Sequence, residues 1–583
     1  MKKVFCLFMF LLLISSFVIA DEVIVFKNVN LVPMTNNKVL KNQDIIIKGN
    51  VISDFGPTNK LKIPENATII DGSGAYLMPG LADMHVHLSN YWKTSQFNLY
   101  VAQGVTTARD MNGEPEMLNW REEIDSGKRI GPNLYISAPT IRGNEKEPWK
   151  YVSSCKKLGY DFIKIYSFIS PEDYKLTIDE IKKNQLYSAG HIPFMLGIDG
   201  VIQNKMNEIA HVEEFFYEII KLDRSLNLKG MPRLQQVIES SINAFPDYDS
   251  LSGKEFRERI RDQVKKIAQK VKSANIAVNT TLAVDEIVKL KLFEEEKIWQ
   301  KPSSKYYPQF FIDKMKNGTD KHKYLFKDHK DIGRLLYEFS LELLTQLRTV
   351  GVEINLGTDA GAALGVGTVP GFSIHDELQI LVECGFSPYE AIATGTVNAA
   401  KVVENMTGKN NFGSVEIGKR ADLLLINNNP FKNVKNIKDL KGVMIAGKWL
   451  DKTQLDELLA VEQTTVKELA QIIGPIFQKE GSQAAIAKYN RMKNNDYLNQ
   501  YYFDVSLLNL IGNDLLKNGL TDLAIDAFKL NMEEYPASSK VYDSMGKAYT
   551  TVGKKELAIQ YYKKSLEIDH NNRNAVRMIK KLE

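Results

Sequence analysis

The sequence predicts an α/β protein: a (β/α)8 TIM-type barrel with a small composite β-sandwich domain and a C-terminal all-α helical-repeat domain. Three observations predict this fold class. Short apolar strands alternate with amphipathic helices about eight times across residues 80–400, which favours a parallel barrel. Short β-type runs flank that segment on both sides. A 34-residue period follows them in residues 453–583.

The bulk composition is that of an ordinary globular chain. Its 583 residues exceed what a single hydrophobic core holds, so several domains are expected. Hydrophobic residues make up 44% and charged residues 25%, and the formal net charge is +4. Without a basic excess to neutralise phosphates, we expect no nucleic-acid partner.

The first twenty residues predict an export signal. Lys2 and Lys3 precede an uncharged apolar run over 4–18, and small residues up to Ala20 come before Asp21. This arrangement is typical of a cleavable signal peptide over 1–20, with an uncleaved membrane anchor as the alternative. Because no other long apolar run occurs, we expect a secreted or periplasmic protein without an integral membrane span after cleavage.

The predicted boundaries follow changes of pattern along the chain. Residues 21–79 and 401–452 carry β-type runs and are predicted to form the composite β-sandwich together. Residues 80–400 form the barrel, with a helical insertion at about 213–272 that is interpreted as a candidate lid. Cys155 and Cys384 lack the spacing of a zinc knuckle, so free buried thiols are favoured over a single disulfide.

The last segment repeats itself. Gly512 and Gly519 recur 34 residues later as Gly546 and Gly553, and Ala residues recur at the same interval. This period predicts tetratricopeptide-like helical hairpins over 453–583, with a degenerate third copy upstream and His570 at a repeat turn. Such repeats are candidates for binding a protein partner or for self-association.

The stretch "MPGLADMHVHL" places two histidines two positions apart. In a strand, His85 and His87 project to one face, while Met84, Val86 and Leu88 project to the other. Adjacent buried imidazoles need an acceptor for their lone pairs, and a metal ion is the simplest one. Two solvated histidines on a surface strand are the alternative.

Four further residues lie at the ends of later predicted strands. His191 in "SAGHIP" and His211 in "EIAHVEEF" fall where a barrel gathers its functional loops. Lys164 in "GYDFIKIYS" points inward if Ile163 and Ile165 pack on helices, and its neutral amine could take up CO2 as a carbamate; pairing with an acid is the alternative. Asp359 in "VEINLGTDAG" is a candidate ligand or a helix cap.

Other polar residues receive less specific interpretations. Tyr166 is a candidate substrate contact or a packing residue, and Arg109 with Asp110 is predicted to form a structural salt bridge. His322 and His329 lie in a lysine-rich stretch and are predicted to be solvated. His375 is predicted to be a packing residue or a residue that supports the metal ligands.

Taken together, these motifs resemble the amidohydrolase superfamily, and within it the imidazolonepropionase-like and prolidase-like members. The resemblance covers about residues 22–452. It implies one or two divalent metal ions, with zinc as the first choice, bound by His85, His87, Lys164, His191, His211 and Asp359. Carboxylated Lys164 would bridge the two ions. The sequence "APTIRGNEKEPW" lacks the Gly-Gly-His stretch of many prolidase-like members, which weakens a transfer of prolidase specificity.

The resemblance implies a metal-dependent hydrolase that cleaves carbon–nitrogen bonds in a small peptide or cyclic amide. A metal-activated hydroxide would attack, with Asp359 as general base and then general acid. Two alternatives remain: a lactone or ester hydrolase on the same site, and an inactive barrel whose helical repeats bind protein.

Overall fold

The computed structural model describes residues 22–89, 92–226, 228–361, 365–569 and 572–583. The predicted signal peptide over 1–20 and the predicted repeat-turn residue His570 lie outside these ranges. Within the described residues, no helix is both long enough and apolar enough to cross a membrane.

The chain starts with a set of short strands that bury an apolar face. Strand β1 pairs antiparallel with β2, which pairs antiparallel with β3, while β4 and β5 run parallel to β1 at its two ends. Alternating apolar residues such as Ile24, Phe26 and Ile45 form the core beneath them. The strands are β1 (Val23–Leu31), β2 (Leu40–Lys48), β3 (Val51–Pro57), β4 (Thr68–Asp71) and β5 (Tyr76–Pro79).

Eight parallel strands follow, in two hydrogen-bonded sheets. One sheet has the order β6-β7-β8 and the other β13-β12-β11-β10-β9. The strands are β6 (Leu81–Val86), β7 (Val105–Asp110), β8 (Asn133–Ile136), β9 (Phe162–Ile165), β10 (Tyr187–Gly190), β11 (Glu208–Ile209), β12 (Ala277–Asn279) and β13 (Ile354–Asn355).

The two parallel sheets also meet at both of their outer strands. A parallel bridge between Ser137 and Phe162 links β8 to β9. On the other side, Met84 N donates to Leu356 O at 2.8 Å, and Val86 bridges Ala360 just beyond β13. The order of neighbouring strands therefore returns to its starting strand.

Helices connect and surround these strands. Those up to the second sheet are α1 (Gln96–Ala102), α2 (Pro115–Asp125), α3 (Trp149–Leu158), α4 (Pro171–Lys183), α5 (Gly197–Asn204), α6 (Met231–Ala244), α7 (Gly253–Ala274) and α8 (Leu282–Phe293). The next are α9 (Glu295–Gln300), α10 (Gln309–Lys316), α11 (Lys321–Leu325), α12 (Lys330–Val350), α13 (Ser373–Glu383), α14 (Pro388–Thr394) and α15 (Val397–Thr407). Three short 3-10 helices span Val212–Glu218, Pro302–Tyr306 and Val434–Lys438.

The predicted insertion over 213–272 is partly an ordinary connecting helix. Helix α7 buries Phe256, Ile260 and Val264 and packs along α12. A neighbouring helix therefore covers this apolar stripe, and the interpretation of the insertion as a candidate lid stays a prediction.

The chain then returns to the first sheet. Strands β14 (Leu423–Ile426), β15 (Leu440–Ile445) and β16 (Lys448–Asp451) extend it in the order β16-β15-β14-β5-β1-β2-β3. Leu425 pairs with Leu77 across the β14–β5 ladder. Residues on both sides of the parallel strands thus share one eight-stranded sheet, with β4 attached to β1.

The C-terminal region is entirely helical. Its elements are α16 (Lys452–Ala460), α17 (Val466–Glu480), α18 (Ser482–Asn494), α19 (Val505–Lys517), α20 (Thr521–Glu534), α21 (Ser539–Thr551), α22 (Lys555–Ile568) and α23 (Arg573–Leu582). From α17 onward consecutive helices pack in pairs, α17 with α18, α19 with α20 and α21 with α22. A Cβ on Gly512 would lie 2.4 Å from Phe528, and one on Gly546 would lie 2.9 Å from Tyr562, so both pairs approach closely at positions 34 residues apart.

A buried polar cluster, here called the docking cluster, joins these helices to the rest of the chain. Asn499 donates to Asn98 Oδ1 at 2.7 Å and to Ile130 O at 3.0 Å, and it accepts from Arg129 Nη1 at 2.7 Å. Asn98 in turn donates to the Leu458 and Leu498 carbonyl oxygens. The mixed α/β class and the helical C-terminal region are confirmed, and the docking cluster holds the two together.

Candidate metal centre

The carboxyl ends of the parallel strands bring the predicted ligands to one place. His85 lies in β6 and Lys164 in β9, His191 directly follows β10, and His211 lies two residues beyond β11. Asp359 follows β13 in a left-handed conformation with φ of 53°, and its backbone N donates to His85 O at 2.8 Å. Parallel strands end on the same side of a sheet, which explains why residues far apart in sequence meet here.

His85, His87 and Asp359 form the tightest group. Asp359 Oδ1 lies 3.0 Å from His87 Nε2 and 3.4 Å from His85 Nε2. One ligand atom from each of the three residues lies within 4.8 Å of the others. Two imidazoles and a carboxylate at this spacing can share a single cation.

The other two histidines continue this group. The His191 and His211 rings stack with centroids 4.4 Å apart, and the His211 ring lies 4.6 Å from that of His85. His191 Nδ1 lies 2.7 Å from Glu214 Oε1, and Glu214 also accepts from Ile192 N and Ser167 Oγ. A carboxylate on Nδ1 places the imidazole proton there and leaves Nε2 as the ligand atom, as in many metal sites.

Lys164 is buried between these groups without a partner. It is 1% exposed, and among the described residues Nζ has no hydrogen-bond partner. Burial lowers the pKa of Lys164 to about 8, against the opposing charges of Asp359 and Glu214. The neutral amine is therefore more accessible near neutral pH than in an ordinary lysine. The alternative in which Lys164 pairs directly with an acid is not what the structure contains.

Several buried atoms of the group lack partners. Among the described residues, neither ring nitrogen of His85 has a hydrogen-bond partner, and Asp359 Oδ1 has none with good geometry. Burial, followed by the Lys164 charge, lowers the pKa of His85 well below its ordinary value. Since a buried polar atom without a partner costs about 1–3 kcal/mol, a bound group that supplies partners for these atoms would be stabilised here.

Asp359 itself is held ionised. Burial would raise its pKa, but His87, His211 and Lys164 together lower the pKa of Asp359 below its ordinary value. The neighbouring Asp83 accepts from Thr358 N at 3.0 Å and Thr358 Oγ1 at 2.6 Å, which fixes the turn carrying Asp359. Burial raises the pKa of Asp83 to about 7.

Two sequence predictions about strands β6 and β7 are wrong. A register shift between Asp83 and Val86 interrupts strict alternation, so Met84 packs with the interior residue Phe162 rather than with Val86. Arg109 does not pair with Asp110, because successive strand residues point to opposite faces.

Arg109 and Asp110 each have partners in other parts of the chain. Arg109 forms a two-pronged ion pair with Glu208, and both side chains are fully buried. Asp110 instead accepts from Leu88 N at 2.6 Å and Asn112 N at 2.8 Å. These contacts fix the loop that follows His87.

The remaining histidines lie apart from the group. His322 is only 16% exposed in its side chain and lies 3.4 Å from Lys291 Nζ, so the prediction of a solvated residue is wrong. His329 is half-buried with Nδ1 2.8 Å from Tyr248 Oη, which also contradicts that prediction. His375 is buried, and its Nε2 lies 3.1 Å from Gln103 O.

Sequence reasoning missed Asp83, Glu208 and Glu214. Asp83 lies two residues before His85, and Glu214 lies three after His211, so an acid near each histidine was the available signal. Glu208 gave no such signal, because its partner Arg109 is 99 residues away. Half-buried Tyr166, named as a candidate contact, has its ring centroid 4.2 Å from that of His191.

Comparison with known proteins identifies related chains. Residues 337–450, which include Asp359, match the amidohydrolase family. An adenine deaminase of Staphylothermus marinus is 38% identical over 88 residues, which is 14% of each chain. A 5'-deoxyadenosine deaminase of Methanocaldococcus jannaschii is 23% identical over 414 residues, 66% of this chain and 83% of that protein.

A solved structure shares the fold. The crystal structure of a Xaa-Pro dipeptidase with bound methionine in its active site is 18% identical, with a TM-score of 0.50. It covers 74% of this chain and 100% of the dipeptidase. The comparisons therefore show an amidohydrolase family match over residues 337–450 and a fold shared with the dipeptidase.

Proposed function

We propose that this protein is an exported metal-dependent hydrolase that cleaves carbon–nitrogen bonds in small amides, peptides or cyclic amides. The observation that carries the proposal is the group of buried ligand atoms without partners at the strand ends. The match to the amidohydrolase family and the deaminases and dipeptidase among the similar proteins support it.

The donor set fits divalent metal ions. His85, His87 and Asp359 would hold one ion, and His191 and His211 a second, with zinc as the first choice for imidazole and carboxylate ligands. Lys164 lies within electrostatic range of His85 and Asp359 in the first group and of His191 in the second. A carbamate on its neutral amine would supply a bridging carboxylate. When bound, the ions would polarise the scissile carbonyl and lower the pKa of water.

The chain's own residues move the protons. Asp359 is ionised, so it can accept the proton of the attacking water and pass it to the leaving nitrogen. Glu214 holds His191 in one orientation through its 2.7 Å contact. The Asp83 contacts to Thr358 keep the Asp359 carboxylate in place.

The finer architecture belongs to the same proposal. We interpret the eight parallel strands as a closed (β/α)8 barrel and the eight-stranded sheet as the composite β-sandwich domain. The helical pairs after residue 461 would be tetratricopeptide-like repeats, available to a protein partner. The export signal over 1–20 would direct the protein to the periplasm or outside the cell.

Amine release tests the proposed reaction. Mature protein reconstituted with zinc in bicarbonate buffer is assayed against a panel of dipeptides and cyclic amides, with matched esters and lactones beside them. We expect amine release that Asp359→Asn reduces by about 10²-fold or more, the scale of general acid–base assistance, while most of the metal is retained. Metal content is measured by elemental analysis of both proteins.

The other outcomes discriminate between the alternatives. Hydrolysis of esters or lactones alone would replace the amide substrate with the ester alternative. No turnover of any substrate by protein that holds metal would favour an inactive barrel with the helical pairs as the working part. Near wild-type turnover in Asp359→Asn would contradict the role given to that carboxylate.

A further inference from the structure

The loop after strand β8 is fixed in place beside the metal centre. The Glu145 carboxylate accepts from the backbone N atoms of Arg142, Gly143 and Asn144 at 2.8–3.1 Å. Gly143 has a φ of 79°, and a Cβ there would lie 2.5 Å from the Ile169 backbone. The loop therefore packs directly on the segment that follows β9, and its conformation depends on a glycine at this position.

Arg142 projects from this fixed loop over the candidate site. Its guanidinium carbon lies 5.6 Å from the Tyr166 ring centroid, and the Tyr166 ring lies 4.2 Å from that of His191. One guanidinium nitrogen, Nη2, donates to Asn112 Oδ1 at 3.0 Å. The residue is exposed, and within the described part of the chain its other side-chain donors have no hydrogen-bond or ion-pair partner.

Among the described residues, no acid forms an ion pair with the Arg142 side chain, so its charge is available to an anionic group. Glu114 lies within electrostatic range of Arg142 but forms no ion pair with it in the described chain; burial raises the pKa of Glu114, while Lys540 and Arg142 oppose this rise. On helix α11, Lys321 lies within electrostatic range of Asp359.

We propose that Arg142 determines specificity by binding a free carboxylate on the substrate, so that the preferred substrates are amides of amino acids with a free carboxyl group. A guanidinium with unused donors matches a carboxylate in a two-pronged geometry. The fixed loop keeps this group at one distance from the metal ligands, which positions the scissile amide relative to them. This inference rests on the proposed function for the identity of the bond that is cleaved.

The test compares substrates that differ only in charge. Dipeptides with a free C-terminal carboxylate are assayed beside the same dipeptides as C-terminal amides. We expect wild-type kcat/KM to favour the free acids, and Arg142→Met to reduce kcat/KM for the acids by about 10- to 100-fold, mainly through KM, while the amides change little. Arg142→Lys should retain part of the preference, because an ammonium cannot bind in two-pronged fashion.

A matched control and a binding experiment separate this inference from catalysis. Arg491→Met removes another exposed arginine, on helix α18, and should leave the preference unchanged. Equilibrium binding of N-acetyl amino acids and their amides to Asp359→Asn is measured without turnover, and Arg142→Met should weaken only the acids. Equal effects on acids and amides, or no acid preference in either binding or turnover, would overturn the proposal even if amide hydrolysis is observed.

Discussion

The candidate metal centre and the docking cluster are both polar and buried, but their atoms differ in whether they have partners. At the candidate metal centre, the buried nitrogens of His85 and Lys164 have no hydrogen bonds within the described part of the chain. In the docking cluster, both amide atoms of Asn499 are bonded, to Asn98, Ile130 O and Arg129. A cluster whose polar atoms are all hydrogen-bonded holds two parts of the chain together. A cluster whose polar atoms lack partners can instead bond to a ligand.

Two buried lysines show the same difference between a side chain with partners and one without. Lys164 and Lys291 are both buried lysines. Lys291 donates to Asp320 Oδ2 at 2.8 Å and to Gly365 O at 2.7 Å, whereas Lys164 Nζ has no partner. Because both side chains are lysines, substituting each one measures how missing partners affect stability.

The largest loss of stability is expected where a buried ion pair is broken. Arg109→Met would leave Glu208 charged and without its partner in a fully buried position. We expect a loss of about 3–5 kcal/mol in the free energy of unfolding, measured by chemical denaturation. Arg259→Met breaks the pair with Asp247, in which both side chains are 45% exposed, and should cost no more than about 1 kcal/mol.

The double variant Arg109→Met with Glu208→Leu sharpens this prediction. Removing both charges eliminates the unpaired carboxylate, so a large part of the lost stability should return. If the double variant is as unstable as the single one, packing rather than charge would explain the loss.

The lysine pair should give opposite results in metal-free protein. Lys164→Met removes an ammonium without a partner, so the metal-free chain should be as stable as wild type or more stable. Lys291→Met leaves Asp320 unpaired and should cost about 3 kcal/mol. Thermal unfolding of chelator-treated proteins measures both.

The Lys164 variant, although stable without metal, should lose metal binding and turnover. Lys164→Met should lose the second metal ion and about 10²-fold or more in turnover. Short carboxylic acids should restore part of the turnover to Lys164→Ala by replacing the bridging group. Two metal ions per chain in Lys164→Met would exclude Lys164 as a ligand.

A smaller loss is expected in the docking cluster. Asn499 has a φ of 58°, so Asn499→Gly removes the amide without the backbone strain that alanine would add. The unpaired groups that remain should cost about 1–3 kcal/mol. Differential scanning calorimetry measures the loss, and kcat/KM per folded molecule should be unchanged because the ligands are untouched. A parallel fall in kcat/KM would show that the helices contribute to the site itself.

The smallest effect concerns pH. Burial raises the pKa of Asp496, beside the docking cluster, to about 7, against the opposing charge of Arg129. An unfolded aspartate titrates near 3.8, so the folded chain holds this proton more tightly, and the resulting stability is lost as pH rises from about 4 to 7. Asp496→Asn should flatten that part of the pH–stability curve. Asp262→Asn, on an exposed turn of α7, should leave its slope unchanged.

The sequence alone named the residues that meet at the metal centre. Five of the six predicted ligands lie in or just after parallel strands, and strand ends are recognisable from local apolar runs. The side chains themselves, imidazole and carboxylate, already indicate their chemistry. That is why His85, His87 and Asp359 could be proposed together although the last two are 272 positions apart.

Only the tertiary structure decided how those residues are supported. The partner of Arg109, the contact of Glu214 with His191, and the position of Arg142 over Tyr166 all depend on strand register and loop packing. A register shift at β6 even moved Met84 away from its predicted face. Local periodicity determines which residues form strands, but contacts between distant residues depend on how whole strands align, which no local pattern encodes.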